Sequence, residues 1–139
     1  MFSHLVRMTD SVPQLRVVIN HLPLDPAKDE DARRKADSAL HELGNRPQVY
    51  AKISGILRRA GDRVPLESSF YREPLDQLWA TFGSSRVVYG SNWPVSNQLA
   101  PYPAVLKVAH DYFGAKGPEA ANQYFWKNSL AAYKWLERG

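Results

Sequence analysis

Apolar residues along the chain alternate between short β-branched runs and stretches with helical spacing. The short runs are rich in Val and Ile and have the length of buried strands; they lie at 15–20, 49–53 and 87–89. In the other stretches apolar residues recur every three or four positions, which is typical of a helix with one buried face. These stretches lie at 1–11, from residue 25 or 28 to 43, at 69–82, at 101–113 and at 119–136. Strands that alternate with helices predict a parallel sheet with the helices as its crossovers.

Each predicted strand has polar residues at or just after its end. These residues are Asn20 and His21 at the first strand, Lys52 and Ser54 at the second, and Ser91 and Asn92 after the third. Because the carboxyl ends of parallel strands lie on the same edge of a sheet, we expect these side chains to converge on one pocket. The pattern by itself specifies no reaction.

Three of these residues also have an ordinary structural interpretation. A lone histidine such as His21 is commonly a hydrogen-bonded structural residue rather than a site residue. Lys52 is either an ordinary outward lysine or, if its apolar neighbours face helices, points into a polar cavity. Asn92 fits a turn in which the Asn side chain bonds its own backbone, stiffened by Pro94. The residues alone leave each of these alternatives open.

Composition narrows the class of protein. With 139 residues, 44% of them hydrophobic and 12% aromatic, the chain has the length and apolar content of one globular domain. The absence of cysteine excludes disulfides, thiolate metal sites and cysteine nucleophiles. The net charge of +4 comes from scattered basic residues, which does not favour nucleic-acid binding. There is no apolar run of bilayer length and no secretory pattern at the N-terminus, so we expect a cytoplasmic protein that contacts no membrane.

Four segments, in this order and spacing, resemble the amidohydrolase-related family. They are RVVINHLP at 16–23, VYAKISG at 49–55, RVVYGSNWPV at 86–95 and YFWKNSLAAY at 124–133. This branch of the amidohydrolase superfamily includes sugar lactonases, a pyrone dicarboxylate lactonase and a decarboxylase. The resemblance implies an α/β fold in which residues 1–139 form the C-terminal portion of a (β/α)8 TIM barrel. The chain would contribute the last three parallel strands of that barrel and their helices.

The resemblance also implies roles for individual residues. His21 matches a histidine at the end of the sixth barrel strand, which makes it a candidate catalytic electrophile or metal ligand. Asn92 occupies the position of the family's eighth-strand aspartate, the general base; an amide can orient water or substrate but cannot take the proton. Lys52 and Ser54 match a seventh-strand motif without a settled chemical role. The residues expected to line the substrate pocket are Lys52, Ser91 and Trp93.

Two departures from the family limit what this chain is expected to do alone. A complete barrel of this kind takes about 250 residues, whereas the pattern predicts only three strands here. The family's first-strand His-x-His pair and its fifth-strand ligand are missing, because the histidines stand apart at 4, 21, 41 and 110. We therefore expect a divalent metal such as zinc, bound in part by His21, only in a complete barrel and not in this chain.

Two hypotheses for function follow. The first is hydrolysis of a lactone or a similar ester of a small carboxylated or sugar-derived molecule, with the activity impaired in the isolated chain. The second is a non-catalytic interaction or assembly module, since an incomplete barrel exposes sheet edges that a second copy or a partner chain has to cover. The aromatic residues within 70–82 and 124–136 suit the second hypothesis.

Overall fold

The computed structural model describes residues 2–23 and 29–134. In this part of the chain three parallel strands form one sheet in the order β1-β2-β3. The strands are β1 (Val17–Leu22), β2 (Val49–Ile53) and β3 (Val87–Tyr89). The helices are α1 (Phe2–Ser11), α2 (Glu30–Gly44), α3 (Arg72–Phe82), α4 (Tyr102–Ala115), α5 (Pro118–Asn122) and α6 (Asn128–Tyr133). The prediction of a parallel sheet with helices between its strands is confirmed.

The first strand lies two residues further along the chain than the apolar run at 15–20. Its pairing with β2 shifts between Ile19 and Leu22, so that Leu22 pairs with Ile53 beyond the irregularity. His21 lies inside this irregularity with φ at 61°. The predicted end at residue 20 is therefore early, because the strand resumes its pairing after the bulge.

Helix α2 begins directly after a residue whose side chain caps it. The carboxylate of Asp29 accepts hydrogen bonds from the backbone N–H groups of Asp31 and Ala32, at 3.3 and 3.2 Å. This satisfies donors that have no partner in the first turn of a helix. The predicted starting positions, residues 25 and 28, lie outside the described residues.

The predicted helix at 119–136 consists of three consecutive helical segments. A π-helical turn, Gln123–Lys127, joins α5 to α6. Residues 135 and 136 lie outside the described part of the chain. The helix predicted at 69–82 likewise starts with a 3₁₀ turn, Ser68–Tyr71, before α3. No helix within residues 2–23 and 29–134 is both long and apolar enough to cross a bilayer.

The two faces of the sheet belong to different apolar clusters, and they are called here the helix face and the second face. The helix face carries Ile19, Ala51, Ile53 and Val87, which belong to one apolar cluster with Leu75 and Phe82 of α3 and Phe113 of α4. The second face carries Val18, Tyr50 and Val88, which pack against Ala132 of α6. Lys52, one residue beyond Ala51, belongs to the second face by alternation.

The edge at which the strands begin, here called the amino edge, is held by long-range hydrogen bonds. The guanidinium of Arg86 donates to the carbonyls of Arg46, Val49 and Gly44 at 2.8, 3.1 and 2.6 Å. The amide nitrogen of Asn128, a buried residue, donates to the carbonyls of Ser84 and Val87, both at 2.7 Å. The start of the sheet is therefore fixed by side-chain hydrogen bonds between segments that are far apart in the sequence.

Candidate active site

The opposite edge, here called the carboxyl edge, brings together residues from the ends of all three strands. The backbone N–H of Ser54 donates to the carbonyl of Leu22 at 3.0 Å, and the N–H of Gly90 donates to the carbonyl of Ile53 at 3.2 Å. The side chain of Ser54 lies 3.1 Å from Nδ1 of His21, measured to its Oγ. The expected convergence of strand ends is therefore present between β1 and β2.

Gly90 explains how closely the end of β3 approaches the end of β2. A Cβ atom at this position would lie 2.7 Å from Cβ of Ser54 and 2.9 Å from Cε of Lys52. Distances this short exclude a side chain, so the glycine is needed for close approach. Gly90 directly follows the strand predicted at 87–89, and the structure adds that it leaves room for Lys52 and Ser54.

His21 and Asn92 share an uncommon backbone conformation. Their φ angles are 61° and 54°, in the left-handed region. Each stands two residues before a proline, and the Leu22–Pro23 and Trp93–Pro94 peptide bonds are both cis. Asn and His occupy the left-handed region more often than most residues do, yet any residue with a Cβ atom pays a steric cost there relative to glycine. Such positions cluster at functional sites, and no sequence signal predicted the conformation of His21.

Lys52 is half-buried and lies on the second face of the sheet by strand alternation. Its Nζ is 5.9 Å from the centroid of the Tyr133 ring in α6. An ammonium at this distance from a ring face is attracted by the ring's quadrupole. Tyr133 was not among the residues predicted for the site, because its proximity depends on where the terminal helix packs.

In the turn after β3, the side chain of Ser91 makes a hydrogen bond to the backbone of the turn. The hydroxyl of Ser91 accepts a hydrogen bond from the backbone N–H of Trp93 at 3.1 Å. The backbone carbonyl of Asn92 accepts from the N–H of Ser96 at 2.9 Å. Within the described residues no hydrogen bond engages the side chain of Asn92. The turn that was an alternative role for Asn92 is thus closed by Ser91 instead.

Trp93 is 46% exposed, and its ring meets Tyr102 edge to face at 5.7 Å. Tyr102 opens α4, so the indole is supported by the helix that follows the turn. The structure thus brings Lys52 and Ser54 together beside Gly90, and His21 within hydrogen-bonding distance of Ser54. It places Ser91 and Trp93 in the adjoining turn.

A second feature that the sequence did not reveal is the hydroxyl of Tyr89, the last residue of β3. It is buried and has no hydrogen-bond partner among the described residues. Its ring packs edge to face on Tyr124 at 5.6 Å and against Phe125 at 5.2 Å. Burial raises the pKa of Tyr89 above its ordinary value, so this phenol stays neutral.

The donor set does not fit a metal centre made by this chain alone. Residues 2–23 and 29–134 contain no group of three or more His, Cys, Asp or Glu side chains placed to bind an ion. Catalytic zinc takes three protein ligands, and His21 would supply one. No step of the chemistry below is therefore assigned to a metal.

A cavity lies elsewhere, among α1, α2 and α3. Its volume is about 530 Å³, and its lining includes Phe2, Leu22, His41 and Glu73. None of the predicted site residues lines it. We assign the candidate site to the carboxyl edge, where chemistry-bearing side chains from different strands meet.

A parallel sheet with helices between its strands and polar side chains at its carboxyl edge defines a class: α/β proteins that bind their ligands at that edge. Comparison with known proteins narrows this class. A family model described as amidohydrolase matches residues 1–135. The chain belongs to this amidohydrolase family.

Two curated relatives are named L-fucono-1,5-lactonase. The protein from Burkholderia ambifaria is 34% identical over 131 residues, which cover 88% of this chain and 42% of the relative. The protein from Burkholderia multivorans is 30% identical over 107 residues, which cover 75% of this chain and 36% of the relative. The chain thus spans about two fifths of the length of these relatives.

Solved structures agree on the fold. An amidohydrolase from Burkholderia multivorans with bound zinc superposes with a TM-score of 0.79 at 20% identity, covering 97% of this chain and 49% of that one. Amidohydrolase 2 from Bifidobacterium longum subsp. infantis gives 0.71 at 26% identity, covering 96% and 46%. The predicted fold, part of a TIM barrel with three parallel strands and their helices, is confirmed.

Proposed function

We propose that this chain carries the last three strands of a barrel that hydrolyses a lactone of a small, sugar-derived carboxylic acid. The observation that carries the proposal is the carboxyl edge, where His21 and Ser54 meet beside the turn that holds Asn92. The curated relatives with 30% and 34% identity, both named lactonases, support the choice of substrate class. Residues 1–139 would be the C-terminal portion of the barrel, acting in the cytoplasm.

The proposed reaction adds water to the lactone carbonyl and then breaks the ring C–O bond. The proton that the water loses passes through solvent to the departing ring oxygen, which becomes a hydroxyl of the open-chain hydroxy acid. His21 would donate a hydrogen bond from its imidazole to the carbonyl oxygen as that oxygen gains negative charge. The amide oxygen of Asn92 would accept a hydrogen bond from the attacking water and orient it. Lys52 would attract the oxyanion that develops on the lactone carbonyl and the carboxylate of the product, and Ser91 and Trp93 would line the pocket beside it.

This assignment predicts a weak catalyst when the chain stands alone. An amide does not accept the proton that water loses on attack, whereas a carboxylate does. The remaining barrel strands of the relatives also have no counterpart in the described residues. The contribution of the described residues is orientation and hydrogen bonding.

The test compares this chain with a chimera in which the upstream part of the Burkholderia ambifaria relative supplies the other strands. We expect negligible hydrolysis of sugar-acid lactones by the chain alone and measurable hydrolysis by the chimera. In the chimera His21→Ala should lower kcat/KM by about 10²-fold or more. Asn92→Asp should raise kcat, because it restores a proton acceptor.

His41→Ala is the matched control, since His41 is an exposed histidine on α2. It should leave the kinetics of the chimera unchanged. Equal losses in the His21 and His41 variants, or a chimera that folds and hydrolyses no lactone, would contradict the proposal. Metal-stimulated hydrolysis by the chain alone that disappears in His21→Ala would contradict the predicted inactivity.

A second candidate function, assembly without catalysis, rests on exposed apolar side chains near the C-terminus. Trp126, Leu130 and Tyr133 are 52%, 46% and 45% exposed. An apolar patch of this kind often marks a surface that binds another chain. Sedimentation of the chain tests it: a monomer that unfolds cooperatively and binds no hydrophobic dye would count against assembly.

A further inference from the structure

Ser54 follows β2 and is held in place by contacts with the ends of β1 and β3. The residue directly follows β2, its side chain is buried at 4% exposure, and its backbone N–H donates to the carbonyl of Leu22 in β1. The end of β3 lies against it as well, since a Cβ atom on Gly90 would fall 2.7 Å from its own Cβ. The hydroxyl of Ser54 is therefore attached to one of the more constrained points of the carboxyl edge.

His21 is exposed, in contrast, and its ring has two side-chain torsions about which it can turn. The hydrogen bond of 3.1 Å between Oγ of Ser54 and Nδ1 of His21 restricts those torsions. It also leaves Nε2 as the ring nitrogen available to a ligand. A buried serine thus selects one orientation of an exposed imidazole.

The direction of this hydrogen bond decides what Nε2 can do. Within the described residues the hydroxyl of Ser54 has no hydrogen-bond partner other than His21, and a buried hydroxyl needs an acceptor. Donation from Ser54 to Nδ1 satisfies the hydroxyl and places the proton of the neutral ring on Nε2. Nε2 is then a hydrogen-bond donor rather than a metal ligand.

We propose that Ser54 is a positioning residue that holds the imidazole of His21 with Nε2–H available to an oxygen that gains negative charge. The part of this inference that concerns rate rests on the proposed lactone hydrolysis. The part that concerns the ring does not, because it follows from the hydrogen bond alone. Ser54 then orients the ring of His21, and His21 acts as an electrophile and not as a metal ligand.

The first test is nitrogen-15 NMR of the imidazole rings in the full chain, about two pH units above the usual histidine pKa. In the wild type we expect an unprotonated Nδ1 and a protonated Nε2 for His21. Ser54→Ala removes only the oxygen, and should shift the Nδ1 resonance of His21 and average its ring orientation. Ser54→Thr keeps the hydroxyl and should preserve the wild-type pattern.

The rings of His41 and His110, exposed on α2 and α4, serve as controls in the same spectra and should not change. A protonated Nδ1 in the wild type, or His21 resonances identical in the wild type and Ser54→Ala, would overturn the inference. Circular dichroism checks that each variant is folded before its spectrum is compared.

The second test measures the rate in the chimera described above. Ser54→Ala should lower kcat about tenfold or more with little change in KM, and Ser54→Thr should recover most of the loss. A chimera without hydrolysis would defeat the proposed function while the NMR result still decides the position of the ring. Hydrolysis that is unaffected by Ser54→Ala would defeat the positioning role while the proposed function stands.

Discussion

The two edges of the sheet are built in different ways. At the amino edge, Arg86 and Asn128 donate hydrogen bonds to five backbone carbonyls at 2.6 to 3.1 Å. At the carboxyl edge one hydrogen bond between the side chains of Ser54 and His21 joins two strands, and Tyr124 donates to the carbonyl of Ile53 at 2.9 Å. His21 and Asn92 hold left-handed backbone conformations there. The amino edge has more side-chain hydrogen bonds to backbone carbonyls, whereas the carboxyl edge keeps polar side chains that can still bind a ligand.

This difference matches a division of labour common in parallel barrels. The end at which strands begin contributes stability, and the end at which they finish carries the chemistry. Groups that bind a ligand must have unsatisfied hydrogen-bonding capacity before it arrives, which costs stability locally. Substitutions at the two edges should therefore differ in their effect on folding, and the predictions below test this.

The largest effect is expected for Arg86→Met. It removes three hydrogen bonds to the carbonyls of Gly44, Arg46 and Val49, and should lower the free energy of unfolding by about 3 kcal/mol. Urea unfolding followed by circular dichroism measures the change. Arg34→Met, on the exposed face of α2 where Arg34 pairs with Glu30 and Asp31, is the control and should cost less than about 0.5 kcal/mol.

A loss in Arg86→Met as small as that in Arg34→Met would remove the special status of the amino edge. Burial lowers the pKa of Arg86 from its ordinary value, yet a guanidinium pKa starts far above neutrality. The side chain therefore keeps its charge and its donors at physiological pH.

A smaller effect is expected at the carboxyl edge for His21→Gly. Glycine relieves about 1 kcal/mol of left-handed backbone cost, which offsets the lost bond to Ser54 and the greater freedom of the unfolded chain. The free energy of unfolding should stay within about 1 kcal/mol of the wild type. His21→Val, a β-branched residue at the same φ, should cost about 2 kcal/mol. A His21→Gly loss equal to that of Arg86→Met would erase the contrast between the edges.

The smallest effect is expected for a substitution of Asp76, a residue of α3. The hydroxyl of Tyr112 donates to the Asp76 carboxylate at 2.5 Å, and Nζ of Lys116 donates to it at 2.9 Å. These bonds, Tyr112 first, hold the pKa of Asp76 below its ordinary value of 3.8. A depressed folded pKa stabilises the protein above the unfolded pKa, and this stability is lost as the pH falls through the folded pKa.

Asp76→Asn should therefore be less stable than the wild type at pH 7, by less than about 1 kcal/mol because the carboxylate is half-exposed. The difference should shrink in acid, below the folded pKa of Asp76. Urea titrations at the two pH values measure it, with Asp37→Asn on the exposed face of α2 as control. A difference that is the same at both pH values would show that the carboxylate charge is not responsible.

Local pattern predicted most of the fold because strand and helix periodicities are visible in neighbouring residues. The strand at 87–89 lies where it was expected, and α3 lies within the helical stretch expected at 69–82. The limits of β1 were missed, since its last pairing depends on Leu22 meeting Ile53 across a bulge. Contacts with another strand set that register, and a single segment does not encode them.

The set of strand-end residues at the site was predictable, but the contacts among them were not. The bond between His21 and Ser54 joins residues 33 positions apart. The left-handed conformation of His21 and the approach of Tyr133 to Lys52 also depend on packing of distant segments. Gly90 offered the one available signal, because a glycine directly after a buried strand often marks a close backbone approach.

The side-chain amide of Asn128 has a consequence for the order in which the chain folds during synthesis. Its bonds reach back 44 residues to Ser84 and 41 residues to Val87. A ribosome makes the segments of all three strands before it makes α6, so the strands can pair while the amide is still missing. Until α6 has been made, the carbonyl of Val87 in β3 can bond only to water in place of Asn128. The amino edge is therefore completed late in the folding of the nascent chain.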